Sequence, residues 1–201
     1  MLQEKKFVDQ NTLQEYSILL AKKVYESDFF ARNNGSKNFL VGLWRGGTPI
    51  AILVQEFLAR MGLEIYHMPI KSETFSGMER GNITEIVGLA HLATKVSSSK
   101  AGASKTRILL VDDVWDTGLT IHMIRRGLNA LLSEKGKPTM KSAVIFFKPE
   151  QNKTDDSPDF YLHETDNWIV FPHELVGLNG KEILEHKPAF AKFLKVEKNE
   201  K

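Results

Sequence analysis

The chain contains no cysteine, which removes disulfide scaffolds and thiol nucleophiles from consideration. Its six histidines are scattered and give no zinc-site spacing. An excess of one charge sign is missing as well. Lysine and arginine number 27 against 25 acidic residues, and a formal charge of +2 offers no electrostatic footprint for nucleic acid or a membrane surface. No run approaches the roughly 18 apolar residues of a membrane span, and the stretch from Met1 to Phe7 lacks the apolar core of a secretory signal. These absences point to a soluble, cytoplasmic protein without a nucleic-acid or membrane partner. Any anion it binds must be met by local design.

What is present is a chain of 201 residues, 42% hydrophobic, long enough to bury a sizeable core. A single α/β domain over residues 1–201 is expected, with a core over about 10–148 and a small C-terminal lobe over about 149–195. Leu13, Tyr16, Leu20 and Val24 recur at helical spacing, which predicts a helix over 11–31 with Asn11 as its cap, ending near Asn33, Asn34 and Gly35. Phe39 to Leu43 reads as a buried strand. A helix follows it, with Thr48 as cap and Pro49 in its first turn, and Leu63 to Ile70 completes a strand-helix-strand crossover of the parallel-sheet kind. Residues 71–105 are the least regular, with Phe75-Ser76-Gly77-Met78 near the start and a helix expected across 83–96. Such a stretch inside a compact domain is either a lid or an insertion. Ile108 to Val111 reads as a strand ending in Asp112-Asp113, followed by a helix through Ile121, Ile124, Leu128, Leu131 and Leu132. Ala143 to Phe147 reads as a further strand, Phe160 to Leu162 and Trp168 to Val170 as short ones, and 196–201 as a frayed tail.

Ligands of open parallel sheets collect where strands end and helices begin, and Asp112 to Thr120 occupies such a place. Asp116-Thr117-Gly118-Leu119-Thr120, leading into a helix, offers backbone amides, two hydroxyls and a positive dipole end suited to a phosphate monoester. Three carboxylates within five residues repel one another unless a cation or a hydroxyl-rich ligand uses them. Together these requirements suggest a phosphorylated sugar. The plainer alternative is an aspartate-rich turn that only caps the helix.

The same residues, four apolar (Ile108 to Val111), two acidic (Asp112, Asp113), two variable (Val114, Trp115) and then Asp116-Thr117-Gly118-Leu119-Thr120, resemble the complete signature of the type I phosphoribosyltransferases. Gly42-Leu43-Trp44-Arg45-Gly46-Gly47 is similar to that family's pyrophosphate loop, although an arginine and two glycines alone also make an ordinary strand-to-helix turn. The resemblance implies an open, mostly parallel twisted sheet flanked by helices, with a C-terminal hood. It implies that Asp112 and Asp113 hold ribose hydroxyls directly or through Mg²⁺, that Asp116 to Thr120 cradle the 5-phosphate of phosphoribosyl pyrophosphate, and that Trp44, Arg45, Gly46 and Gly47 bind its pyrophosphate. A strained, cis-type peptide at Trp44–Arg45 belongs to that pattern. Asp116 and Arg45 are the implied catalytic residues, and the oligomer implied is a homodimer or homotetramer.

Phe146-Phe147-Lys148 resembles the strand end of 6-oxopurine enzymes, where a lysine meets the exocyclic oxygen of the base. Trp168-Ile169-Val170-Phe171-Pro172 resembles the hood segment of xanthine-guanine enzymes, where an aromatic ring stacks on the purine. Lys148, Trp168 and Ile169 are therefore the expected base contacts, and hypoxanthine, guanine or xanthine the expected acceptor. A solvated strand-end charge at Lys148 and a lobe-core role for Trp168 remain the bland readings. The lid departs from the pattern, with Lys71-Ser72-Glu73-Thr74-Phe75-Ser76 where a Ser-Tyr pair is common, and Val170 stands where an acid is frequent. The alternative function is a regulatory protein that binds phosphoribosyl pyrophosphate or a nucleotide without turnover. Receiver-type and haloacid-dehalogenase-type readings fail on the placing and spacing of the acids.

Overall fold

The computed structural model describes residues 5–30, 32, 36–73, 85–98, 102–134 and 136–194. The expected helix end at Asn33–Gly35, the lid residues Phe75–Met78, the Ser99–Ala101 stretch and the tail beyond Lys195 lie outside these. The elements are β1 (Lys5–Phe7), α1 (Gln10–Glu26), β2 (Lys37–Trp44), α2 (Gly47–Arg60), β3 (Tyr66–Glu73), β4 (Glu85–Val87), α3 (Leu89–Ser97), β5 (Thr106–Trp115), α4 (Leu119–Leu131), β6 (Thr139–Phe147), β7 (Phe160–Glu164), β8 (Trp168–Val170), α5 (Gly180–His186) and α6 (Pro188–Ala191). Among the described residues no helix is long and apolar enough to cross a membrane.

Contacts divide the chain into two compact units, one of residues 16–166 and a smaller one of 1–15 with 167–201. The larger unit holds a six-stranded sheet in the order β4-β3-β2-β5-β6-β7, parallel except for β4, which runs antiparallel to β3. Its strands read as continuous apolar runs because both faces are covered. Phe39, Val41, Leu43, Ile108, Leu110 and Val144 point to one face, where they pack with Leu92 and Val96 of α3 and Ile121, Ile124 and Leu128 of α4. On the other face Gly42 admits α2 so closely that a Cβ there would lie 2.8 Å from the Ala51 Cβ. Tyr16 of α1 meets the Phe146 ring edge-on.

Element edges differ from the sequence reading for local reasons. Asp9 caps α1, accepting the Thr12 N–H at 2.8 Å, where Asn11 was expected. Gly46, not Thr48, occupies the cap of α2. Of the helix expected across 83–96, Glu85–Val87 instead forms β4, held by pairing with Lys71–Glu73, and α3 starts only at Leu89 after Gly88 in a left-handed conformation. β5 does not stop at the acidic pair but continues to Trp115, because β6 pairs with it through Trp115↔Phe147.

The smaller unit joins the two ends of the chain. β1 pairs in parallel with β8, Lys5 opposite Trp168 and Phe7 opposite Val170. Lys5 also reaches Glu182 at 2.8 Å, and Glu182 closes a capping box with Asn179 at the start of α5. The Lys187 ammonium, buried, donates to the Phe171 carbonyl, and burial pushes its pKa down. β7 pairs in parallel with β6, Ala143 opposite Phe160 and Phe147 opposite Glu164, and so belongs to the larger unit.

Candidate active site

β2 and β5 are adjacent and parallel, with Gly42 opposite Val111, so the residues after each strand emerge at the same edge of the sheet. That adjacency brings two segments far apart in sequence into contact. A Cβ on Gly46 would overlap the Asp113 carboxylate, and one on Gly47 would overlap the Val111 carbonyl and lie 2.6 Å from the Asp112 Cα. Only glycine fits at either place, since any side chain would displace backbone or an acid.

The two acids are held tightly. Asp112 Oδ1 accepts the Asp113 N–H at 3.0 Å, and Asp113 Oδ1 accepts the Val114 N–H at 2.8 Å. Burial, and then the neighbouring Asp113 charge, raise the Asp112 carboxyl well above the usual carboxylate range, partly offset by backbone donors including the Gly47 amide. A cation beside the pair would offset that cost and favour the ionised form. Among the described residues no cluster of three or more metal-ligating side chains occurs. The donor set on offer is therefore the Asp112–Asp113 pair, all oxygen and suited to a hard cation whose remaining ligands come from a substrate.

After Trp115 the chain turns through Asp116, Thr117 and Gly118 into α4. Asp116 is exposed, Gly118 takes a left-handed φ of 75°, and the Thr117 hydroxyl accepts weakly from the Leu119 N–H at 3.5 Å. Thr120 and Leu119 lie half-buried in the first turn of α4, where amide N–H groups point out of the helix end. Trp44 and Arg45 are exposed on the other loop, the peptide between them is cis, and Arg45 makes no ion pair among the described residues.

Lys148 follows β6 at the same edge. It is 7% exposed rather than solvated, and its amide donates to the Trp115 carbonyl at 2.9 Å. Trp44–Gly47, Asp112–Thr120 and Lys148 are thus gathered within the larger unit. Trp168, half exposed, and Ile169, buried, belong to the smaller unit on β8.

Sequence reasoning missed the 149–159 segment, which lies under the turn. The Trp115 indole donates to Asn152 Oδ1 at 3.1 Å, and the Lys153 amide donates to the Thr117 carbonyl at 3.0 Å. Arg125 of α4 secures the far end through Asp159 at 2.7 Å and Asp156 at 3.4 Å. The signal that was available was Trp115 itself, since a tryptophan in a buried strand needs an acceptor for its N–H.

An open α/β sheet with its loops gathered at the carboxyl edge defines a ligand-binding fold of the doubly wound kind. The model of the phosphoribosyl transferase domain matches residues 18–176, and the chain belongs to that family. It is a phosphoribosyltransferase. Among solved structures it is similar to a purine phosphoribosyltransferase from Pyrococcus horikoshii Ot3, at 25% identity and a TM-score of 0.61 over 87% of this chain and 96% of that one. It also resembles a hypothetical protein from Neisseria gonorrhoeae with bound ppGpp, at 18% identity and a TM-score of 0.64 over 96% and 98%. A hypoxanthine phosphoribosyltransferase from Trypanosoma cruzi complexed with IMP matches at 16% identity and 0.58 over 81% and 77%. No curated protein matches the sequence significantly.

Proposed function

We propose that this phosphoribosyltransferase moves the 5-phosphoribosyl group of phosphoribosyl pyrophosphate to a 6-oxopurine, hypoxanthine, guanine or xanthine, giving a nucleoside monophosphate and pyrophosphate in purine salvage. The observation that carries this reading is the complete signature from Ile108 to Thr120 at the sheet edge, with Gly46 and Gly47 pressed against its acidic pair. The likeness to the Pyrococcus purine enzyme supports a purine acceptor.

Asp116 to Thr120 hold the 5-phosphate through amides and hydroxyls at the start of α4. Asp112 and Asp113 would hold the ribose hydroxyls and a divalent cation, which would supply neutralisation of pyrophosphate charge. Arg45 and the amides of Gly46 and Gly47 meet the leaving pyrophosphate, with Trp44 fixing the loop. As the C1–O bond breaks, the electron pair leaves with pyrophosphate. The purine nitrogen bonds to C1 and gives its proton to Asp116. Lys148 donates to the exocyclic oxygen of the base. The working form is taken to be a cytoplasmic homo-oligomer, which light scattering would test.

The experiment is pyrophosphate release with Mg²⁺ and phosphoribosyl pyrophosphate, base by base, with Asp116→Asn alongside. Release that depends on a 6-oxopurine and falls in the variant supports the reading. A second reading, a regulatory protein that binds a nucleotide without turnover, draws on the ppGpp-bound Neisseria neighbour. Binding of the activated sugar or of ppGpp with no release from any base would favour it.

A further inference from the structure

The segment from Lys148 to Asp156 is hydrogen-bonded to the turn that follows β5 at three points. The Lys148 amide donates to the Trp115 carbonyl at 2.9 Å, the Trp115 indole to Asn152 Oδ1 at 3.1 Å, and the Lys153 amide to the Thr117 carbonyl at 3.0 Å. Asn152 is the hub. Its Oδ1 also accepts from the Thr154 hydroxyl at 3.0 Å and from the Thr154 amide at 3.3 Å, while its Nδ2 donates to the Asp156 carbonyl at 2.8 Å. Both of its polar atoms are therefore used, and the side chain has one orientation in which all four bonds form.

Gly118 fits against this hub. A Cβ there would lie 2.7 Å from Trp115 Nε1, 2.7 Å from Thr154 Oγ1 and 2.8 Å from Asn152 Oδ1. The left-handed φ of 75° at Gly118 and the absence of its side chain thus meet the Trp115–Asn152 bond from the other side. Trp115 is 1% exposed and occupies a variable place of the signature, so its ring is committed to the core while its N–H is committed to Asn152.

We infer that Asn152 is a positioning residue: through Trp115 it fixes the Thr117–Gly118 turn in the shape that receives a sugar 5-phosphate. This rests on the reading of Asp116 to Thr120 as the phosphate cradle, and assigns the cradle's rigidity to a residue about 35 positions downstream, the separation of Trp115 and Asn152 being 37. A pre-ordered loop spares the ligand the cost of ordering it, so loosening the hub weakens 5-phosphate binding more than it slows the chemical step at C1.

The test measures the Kd of ribose 5-phosphate by calorimetry and the steady-state constants for phosphoribosyl pyrophosphate and base. The proteins are wild type, Trp115→Phe, Asn152→Ala, the double variant and Leu132→Ala, a buried residue at the end of α4 that serves as structural control. Loss of the Trp115–Asn152 bond, common to both single variants, is expected to weaken ribose 5-phosphate by about tenfold or more. The double variant should be no weaker than Asn152→Ala alone, because removing Asn152 already removes the Trp115 bond. KM for phosphoribosyl pyrophosphate should rise in parallel, with kcat and the KM for base within about threefold of wild type.

Unchanged Kd values in Asn152→Ala and Trp115→Phe, both still folded by circular dichroism, would overturn the inference. Fully additive losses, or an equal loss in Leu132→Ala at the same melting temperature, would overturn it too, the first by separating the two residues and the second by reducing Asn152 to general stability. If wild type itself fails to bind ribose 5-phosphate, the phosphate reading of the turn falls, and the positioning role falls with it.

Discussion

Gly46 and Asp113, separated by most of a strand-helix-strand unit and more, sit so close that a methyl group on the glycine would occupy the space of the Asp113 carboxylate. The approach follows from β2 lying beside β5, and it makes the loop after one strand a wall of the acidic pocket at the end of the other.

Gly46→Ala should separate the two loops without unfolding the chain, since the half-buried turn can shift outward. Misplacement of reacting groups by about 1 Å costs on the order of a hundredfold, so kcat/KM should fall by about that factor with a nearly unchanged melting temperature. A variant of near-normal activity would show that the contact is incidental.

Asp112→Asn should be more stable than wild type when Mg²⁺ and ligands are absent. Burial and the Asp113 charge disfavour the ionised Asp112, and asparagine keeps an oxygen for the Asp113 amide. Each kcal/mol recovered should appear as about 2–4 °C in melting temperature. Mg²⁺ should raise the melting temperature of wild type and have little effect on the variant. A destabilised, Mg²⁺-responsive Asp112→Asn protein would contradict both the charge argument and the proposed metal role.

Lys148→Met tests the base side of the site. A charge-assisted hydrogen bond is worth about 1.5–3 kcal/mol, so the KM for a 6-oxopurine should rise about tenfold to a hundredfold while ribose 5-phosphate binds as before. Equal weakening of both ligands would move Lys148 from base recognition to support of the Trp115 turn.

The Lys5–Glu182 pair predicts a pH dependence in the smaller unit. The bond to Lys5 lowers the Glu182 pKa in the folded protein, so the unfolded chain takes up its proton first as pH falls. The stabilisation is present above the unfolded pKa and is lost as pH drops through the folded one. Glu182→Gln keeps the capping box but not the ion pair. It should be less stable than wild type near neutral pH, by no more than the ~1 kcal/mol of a partly exposed pair, and the difference should shrink as pH falls through the ordinary glutamate range and vanish below the lowered folded pKa. A difference independent of pH would assign the effect to helix capping.

The alternation of apolar strands with helical periodicity was enough to read the β2-α2-β3 crossover and the strand-loop-helix around Asp112 to Thr120, because those features depend on neighbours within a few residues. The same locality explains the readable glycine loop at Gly46 and Gly47. Three things were settled only by tertiary packing. β1 pairs with β8 across the length of the chain, a choice made by edge pairing rather than by anything in Lys5–Phe7 alone. β5 runs on through the acidic pair to Trp115 because β6 offers partners that far. Asn152 reads as an ordinary loop residue until the buried Trp115 indole is seen to need an acceptor and the sheet is seen to bring that loop beneath it. Sequence periodicity records which face of each element is apolar, whereas which faces and edges meet depends on burial and hydrogen-bond completion over the whole fold.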